Sequence, residues 1–238
     1  MFAGPNGSGK TTIQREIAQQ FPSHFLGVLV NPDDLEAAIG RCGRLDLGPF
    51  GVRAGDREVR EAFTSSAFLK RRRLADAATV LRCDGRVIDF AGLAMNSYYA
   101  SVLADFLRRK LLAESIPFSF ETVMSEPGKV DLLREAQSLG FRTYLYYLAT
   151  EDPEINISRV ELRVAQGGHD VPKDKIVSRY HRSLGLVRDA VRYTDRAYFF
   201  DTSEPESLFV AESAGGERPE LRCDPMPNWF KTFVWDKF

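Results

Sequence analysis

Cysteine is scarce in this chain. Cys42, Cys83 and Cys223 are odd in number and show no C-x-x-C spacing. That speaks against a disulfide framework or a zinc site and for a reducing cytosol. Charge of one sign is also lacking. The formal net charge is −1, so no overall field recruits nucleic acid or an anionic membrane. No apolar run approaches the length of a membrane span, and no internal repeat or low-complexity tract occurs. Sequence ahead of the first glycine-rich loop is short as well. Only Met1, Phe2 and Ala3 precede Gly4, which leaves no room for a signal peptide. A strand usually runs about 5–6 residues, so a natural start upstream of Met1 is expected. What remains, at 238 residues, suits one good-sized α/β domain or one domain with a large insertion.

What is present is concentrated at the start. Gly4-Pro5-Asn6-Gly7-Ser8-Gly9-Lys10-Thr11, followed by Thr12, matches G-x-x-x-x-G-K-[ST] at every fixed position. Glycine at 4, 7 and 9 lets the backbone curl until successive N–H groups point inward and cradle anionic oxygens. Lys10 adds a point charge for β- and γ-phosphates, and the Thr11 hydroxyl suits Mg²⁺. Ile13, Ile17, Ala18 and Phe21 follow at helical spacing, and that helix aims its positive end at the same phosphates. A chance glycine-rich turn would not carry this downstream pattern.

Leu26-Gly27-Val28-Leu29-Val30 reads as a buried strand ending at Asn31-Pro32-Asp33-Asp34. Ligands of doubly wound sheets sit beyond the carboxyl ends of strands. An aspartate there can accept a proton from a substrate hydroxyl or cap the helix that starts at Leu35; the two roles are compatible. Residues 40–96 interrupt the α/β rhythm and read as an insertion. It holds helices between Glu58 and Ala78, the basic run Lys70-Arg71-Arg72-Arg73, and a hairpin about Asp84-Gly85. The basic run is either a solvated helix face or a contact for a phosphate-bearing substrate.

Ser97 is placed to cap a long helix that feeds the strand Ile116–Thr122. Glu121 closes that strand, with Ser125 and Pro127 left to start the next helix, which ends at Gly140. Thr143–Ala149 is the next buried strand, and Asp152-Pro153 begins a helix bearing Arg159 and Arg163 on one face. Gly167-Gly168 ends it, and His169-Asp170-Val171-Pro172 leads to a helix bearing Arg179, His181 and Arg182. Two arginine-rich helices about a glycine hinge, at about 159–182, read as a lid over phosphates in preference to a pair of surface helices with ordinary charge. Arg196–Asp201 is the last core strand, and its exit, Asp201-Thr202-Ser203, suits the base of a nucleotide. A terminal hairpin and an aromatic tail that packs on the body complete the chain at 206–238.

The phosphate loop, Asn31-Pro32-Asp33, Phe120-Glu121-Thr122, Gly167-Gly168-His169-Asp170-Val171-Pro172 and Arg179-Tyr180 occur in this order. Together they resemble the zeta toxin family of P-loop kinases, over residues 1–40 and about 110–205. The resemblance implies a single α/β domain built on a parallel five-stranded sheet sandwiched by helices. It implies ATP and Mg²⁺ as cofactors and phosphoryl transfer to a sugar hydroxyl, with UDP-N-acetylglucosamine the best-known family substrate; the cytoplasmic location expected rests on the cysteine usage above. By matching motifs, Asp33 takes the hydroxyl proton, and Glu121 holds substrate or helps Thr11 with the metal. Gly4 to Thr12 and Asp201 hold the nucleotide. Arg159 and Arg163 are lid arginines, and Thr122, His169 and Arg179 face the substrate.

Two departures bear on the acceptor. Val123 stands where the family often has a second threonine, and His169 lies near the place of a second lid arginine. A dinucleotide, an antibiotic or a polynucleotide 5′ end is the alternative acceptor, with the polynucleotide disfavoured by net charge. The rival of another class is a nucleotide-gated module without an acceptor. A toxin of this kind would have an antitoxin protein as partner.

Overall fold

Tyr144–Ala149, β-branched-poor but almost wholly apolar, is buried from Leu145 to Ala149 and forms a six-residue strand with neighbours on both sides. Burial on both faces is what a continuous apolar run in a parallel sheet requires. The computed structural model describes residues 1–22 and 25–238. Its strands are β1 (Phe2–Ala3), β2 (Val28–Leu29), β3 (Arg44–Asp46), β4 (Arg82–Cys83), β5 (Val87–Asp89) and β6 (Phe118–Ser119). They continue as β7 (Glu121–Thr122), β8 (Tyr144–Ala149), β9 (Arg196–Asp201), β10 (Leu208–Ala214) and β11 (Glu220–Leu221). The α-helices are α1 (Lys10–Gln20), α2 (Pro32–Cys42), α3 (Asp56–Thr64), α4 (Ala67–Lys70) and α5 (Ser97–Ala113). After them come α6 (Gly128–Ser138), α7 (Pro153–Ala165), α8 (Lys173–Gly185), α9 (Val187–Val191) and α10 (Asn228–Phe233).

The chain divides into two compact units. One is Met1–Pro22 with Glu121–Phe238, and the other is Ser23–Phe120. The first holds a six-stranded sheet in the order β11-β10-β9-β8-β1-β7. From β7 through β1 and β8 to β9 the pairing is parallel, and β10 and β11 add antiparallel strands. Phe2 stands opposite both Glu121 and Tyr146, so the strand that feeds the glycine loop lies between β7 and β8. Phe2, Tyr147, Phe199 and Phe230 are fully buried. The aromatic tail packs on the body as expected, with Phe199 against Phe230 at 5.1 Å and Tyr147 against Trp229 at 6.0 Å.

The second unit contains α2 through α5 and the antiparallel sheet β3-β5-β4. The hairpin about Asp84-Gly85 is present: the Asp84 carboxylate accepts from the Arg86 and Val87 amides, and Gly85 has φ 99°. Phe63 meets Phe90 and Tyr99 in its core. The basic run 70–73 is exposed, and Arg72 lies 3.9 Å from the Phe68 ring centre and 4.8 Å from that of Tyr98.

Several expectations need correction. The expected count of five parallel strands becomes six strands of mixed direction in the first unit, because the C-terminal hairpin joins the sheet edge through β9. The strand expected over 26–30 is only Val28–Leu29, with Leu29 exposed, and it pairs with β6. The strand expected over 116–122 is broken at Phe120: β6 bonds to β2, whereas β7 bonds to β1. Pro117 has no N–H to give a ladder, though its carbonyl accepts from Val28. The long helix α5 is capped by Asn96, whose side chain accepts from the Tyr98 and Tyr99 amides, and Ser97 is its first residue. Ser125 caps nothing, because α6 starts after Pro127 without a side-chain cap.

Candidate functional site

The loop from Gly4 to Gly9 leaves β1 and enters α1 through residues in left-handed or otherwise positive-φ backbone: Gly4 at 147°, Gly7 at 75° and Gly9 at 75°. Space also demands glycine at the first two. A Cβ on Gly4 would stand 2.0 Å from the Leu148 carbonyl oxygen, and one on Gly7 would stand 2.8 Å from that of Asn156. Gly9 is the N-cap of α1 and offers no side-chain cap, and the first turn of α1 has no acidic residue. The positive end of that helix is therefore not neutralised from within.

Lys10 folds back over the loop and donates to the carbonyls of Gly4 at 2.9 Å and Pro5 at 2.7 Å. Burial pushes its ammonium pKa down to about 8; the Glu121 carboxylate opposes this and the Arg163 guanidinium adds to it. Thr11 donates its hydroxyl to Glu121 Oε2 at 2.9 Å. A hydroxyl and a carboxylate so paired beside a phosphate cradle fit Mg²⁺, which takes one or two protein oxygens together with phosphate oxygens. Among the described residues no cluster of three or more His, Cys, Asp or Glu fits a metal by itself.

Beside the loop is a cavity of about 500 Å³ lined by Gly7, Gly9, Thr12, Arg159, Thr202 and Glu204, among others. Arg159 donates to the Ser203 carbonyl at 3.2 Å. Arg163, exposed, instead donates to the His169 carbonyl at 2.9 Å and so closes the end of α7, with Gly168 packed on its side chain. The imidazole of His169 is exposed, and Arg179 is half-buried on α8.

Two expected site residues are committed elsewhere. Asp201 does not line the cavity. Its carboxylate is buried and accepts from the Trp229 indole at 2.6 Å and the Ser203 amide at 2.8 Å, so its neighbour Thr202 reaches the cavity. Thr122 serves the loop: its carbonyl accepts from the Gly4 amide, and its hydroxyl from the Met124 amide. Asp33 belongs to the second unit, where neither aspartate is the cap of α2. Asn31 takes that role by accepting from the Asp33 amide at 3.0 Å, which leaves the Asp33 side chain exposed in the first turn.

Asn156 and Thr202 touch the loop, yet no motif singles them out. Asn156 Nδ2 donates to the Asn6 carbonyl at 2.6 Å, and the Thr202 hydroxyl lies 3.3 Å from the Ser8 carbonyl. The sequence signal for Asn156 is an amide on the buried face of a helix beside Ile157 and Val160. For Thr202 the signal is its place in the strand exit Asp201-Thr202-Ser203.

No protein-family model matches the chain. An uncharacterised protein of Haemophilus influenzae is 30% identical over 69 residues, which are 29% of this chain and 49% of that protein. Among solved structures, the AvrRxo1-ORF1:-ORF2 complex with ATP has a TM-score of 0.54 at 16% identity, over 93% of this chain and 60% of that one. The same complex with sulphate ions gives 0.52 at 18% identity with the same coverage. A structure of the PezAT chromosomal toxin-antitoxin system of Streptococcus pneumoniae gives 0.48 at 13% identity, covering 90% of this chain and 72% of that one. The chain thus spans about half of the curated relative and three fifths of the first solved chain. Identities this low speak of architecture. What they show is the fold, which is the expected α/β, P-loop kinase-like one.

Proposed function

We propose that this chain is an ATP-dependent kinase of zeta-toxin type that transfers the γ-phosphoryl group to a hydroxyl of a nucleotide sugar such as UDP-N-acetylglucosamine. The observation that carries this reading is the convergence, within one unit, of the glycine cradle, the Lys10 ammonium and the Thr11–Glu121 pair. Phosphoryl transfer asks of a protein mainly position and positive charge, and these groups offer both. The solved complex with ATP, which shares the fold, supports ATP as the donor.

The acceptor hydroxyl oxygen forms a bond to the γ-phosphorus while the bond from that phosphorus to the β–γ bridging oxygen breaks. The hydroxyl proton passes to the Asp33 carboxylate, the base that the matching motif assigns. Lys10 and the Gly7 and Gly9 amides hold the phosphate oxygens, and Arg159 and Arg163 add positive charge from α7. Mg²⁺, when bound by Thr11 and Glu121, would screen the phosphate charge. Glu121, Thr122, His169 and Arg179 are the groups offered to the acceptor, with Thr122 acting through the loop it supports. The pairing of two products in the AvrRxo1-ORF1:-ORF2 complex supports a protein partner, which for a toxin would be an antitoxin. No helix among the described residues is long and apolar enough to cross a membrane.

The test is incubation with labelled ATP, Mg²⁺ and either UDP-N-acetylglucosamine or a fractionated metabolite extract, followed by identification of the phosphorylated compound. Label on a nucleotide sugar is expected. Label on another alcohol would keep the kinase and replace the acceptor. ATP turnover indifferent to every metabolite would leave a nucleotide-gated module and sink the proposal.

A further inference from the structure

We infer that Asn156 and Thr202 are positioning residues of the phosphate loop, which aim the Gly7 and Gly9 amides by holding the carbonyls on the other side of the same peptide units. The inference rests on the nucleotide-site reading and deepens it. In a trans peptide unit the carbonyl of one residue and the amide of the next point in opposite directions. Fixing the Asn6 carbonyl therefore fixes the Gly7 amide, and fixing the Ser8 carbonyl fixes that of Gly9. Asn156 holds the first at 2.6 Å and Thr202 the second at 3.3 Å. Among the described residues, neither the Gly7 nor the Gly9 amide donates to another protein group. Both are left facing the side away from the two anchors.

The anchors are themselves fixed. Asn156 is fully buried, and its amide oxygen accepts from the Thr150 hydroxyl at 2.5 Å. The Thr150 carbonyl in turn accepts from Tyr180 on α8 at 2.6 Å. Thr202 is 6% exposed; its amide donates to the Ala149 carbonyl at 2.9 Å, which fixes the residue, and its single hydroxyl proton is shared between the Ser8 carbonyl at 3.3 Å and the Ala149 carbonyl at 3.1 Å. One buried chain of hydrogen bonds thus runs from α8 through the exit of β8 to the crest of the loop. Asn156 also lies one helical turn before Arg159 on α7, so the helix that orients the crest presents the arginine that lines the cavity. Donors fixed before the anion arrives need no reorganisation when charge develops, and that is where electrostatic stabilisation gains most.

The experiment compares the full-length wild type with Asn156→Asp and Thr202→Val. Asn156→Asp keeps the acceptor for Thr150 but trades the amide donor to Asn6 for a negative charge near the anion, so Thr202→Val, which keeps the shape and removes only the hydroxyl, is the deciding variant. Calorimetry gives the Kd for ATP and for inorganic tripolyphosphate, kinetics give KM for ATP and kcat, and a thermal melt without ligand reports stability. Each variant should weaken both ligands about 10-fold, the scale of one lost hydrogen bond at a buried site, with KM for ATP rising in parallel. A lower melting temperature with both affinities unchanged would make the two residues merely structural and overturn the inference. Should Asn156→Asp fail to fold, Thr202→Val decides by the same criterion. A wild type that binds neither probe overturns the nucleotide reading and this inference together. Equal binding by all three proteins overturns the inference alone.

Discussion

Thr11 and Glu121, 110 residues apart in sequence, meet through a 2.9 Å hydrogen bond from hydroxyl to carboxylate. The contact exists because Phe2 and Glu121 are register partners in adjacent parallel strands, so the loop leaving β1 turns back over the end of β7. In the proposed reaction this pair holds Mg²⁺. Glu121→Gln keeps the shape and loses the charge. It should raise the Mg²⁺ concentration for half-maximal turnover about 10-fold, as loss of a charge-assisted contact does. Turnover measured over a Mg²⁺ titration checks this, and an unchanged midpoint would remove Glu121 from the metal site.

Lys10 gives a pH dependence with a defined sign. Its folded pKa of about 8 lies below the ordinary 10.5. Between those values the unfolded chain binds the extra proton, so the contribution of this group to stability rises as pH climbs through that window. Phosphate binding depends on pH in the opposite sense, because it needs the ammonium. Affinity for ATP should fall above about pH 8, and binding at pH 8.5 should take up protons. Calorimetry in two buffers of different ionisation enthalpy measures the uptake. Lys10→Ala should abolish the pH effect and weaken ATP binding by 100-fold or more.

Asp33 is predicted to act on the acceptor alone. Asp33→Asn should abolish transfer while the Kd for ATP stays within about twofold of wild type, since one proton-transfer group contributes on the order of 10²–10⁴-fold to rate. Turnover near the wild-type level would return Asp33 to the first turn of α2 as an ordinary helix carboxylate.

Gly4→Ala is the sharpest stability test. Its methyl group would collide with the Leu148 carbonyl at 2.0 Å in a backbone conformation of φ 147°. Overlap with backbone cannot be relieved by a rotamer change, so a loss of at least about 3 kcal/mol is expected from chemical denaturation. A variant as stable as wild type would show that the loop has another way to leave β1.

Trp229→Phe should cost about 1–3 kcal/mol, because the buried Asp201 carboxylate loses its 2.6 Å indole donor. The same substitution should also weaken ATP, through the loop at 201–203 that carries Thr202 and the carbonyl held by Arg159. Denaturation and calorimetry on one preparation separate the two effects.

The phosphate loop is legible because its chemistry fixes residue types at adjacent positions, and Glu121 because a carboxylate at a strand exit has few other duties. The Asp152-Pro153 helix start is legible for the same local reason, with the Asp152 side chain accepting from the Glu154 amide. Choices between neighbouring polar residues are not legible. Asn31 caps in place of Asp33, and Asn96 in place of Ser97, because backbone angles decide and both candidates have suitable oxygens. The break at Phe120 is hidden too, since a strand's pattern does not name its partner. Asp201 looks like a ligand for a base until Trp229, 28 residues later, supplies its donor.

Helix α10 is fastened at the exits of β8 and β9, and the second of these leads through Thr202 to the cavity. Glu151, just past β8, accepts from the Asn228 and Trp229 amides at 2.7 and 3.2 Å, and Asp201, closing β9, accepts from the Trp229 indole. A protease cut ahead of Trp229 would therefore be felt at the loop bearing Thr202, as a wedge withdrawn from between two rails. Shortened versions made for crystallisation should keep this helix.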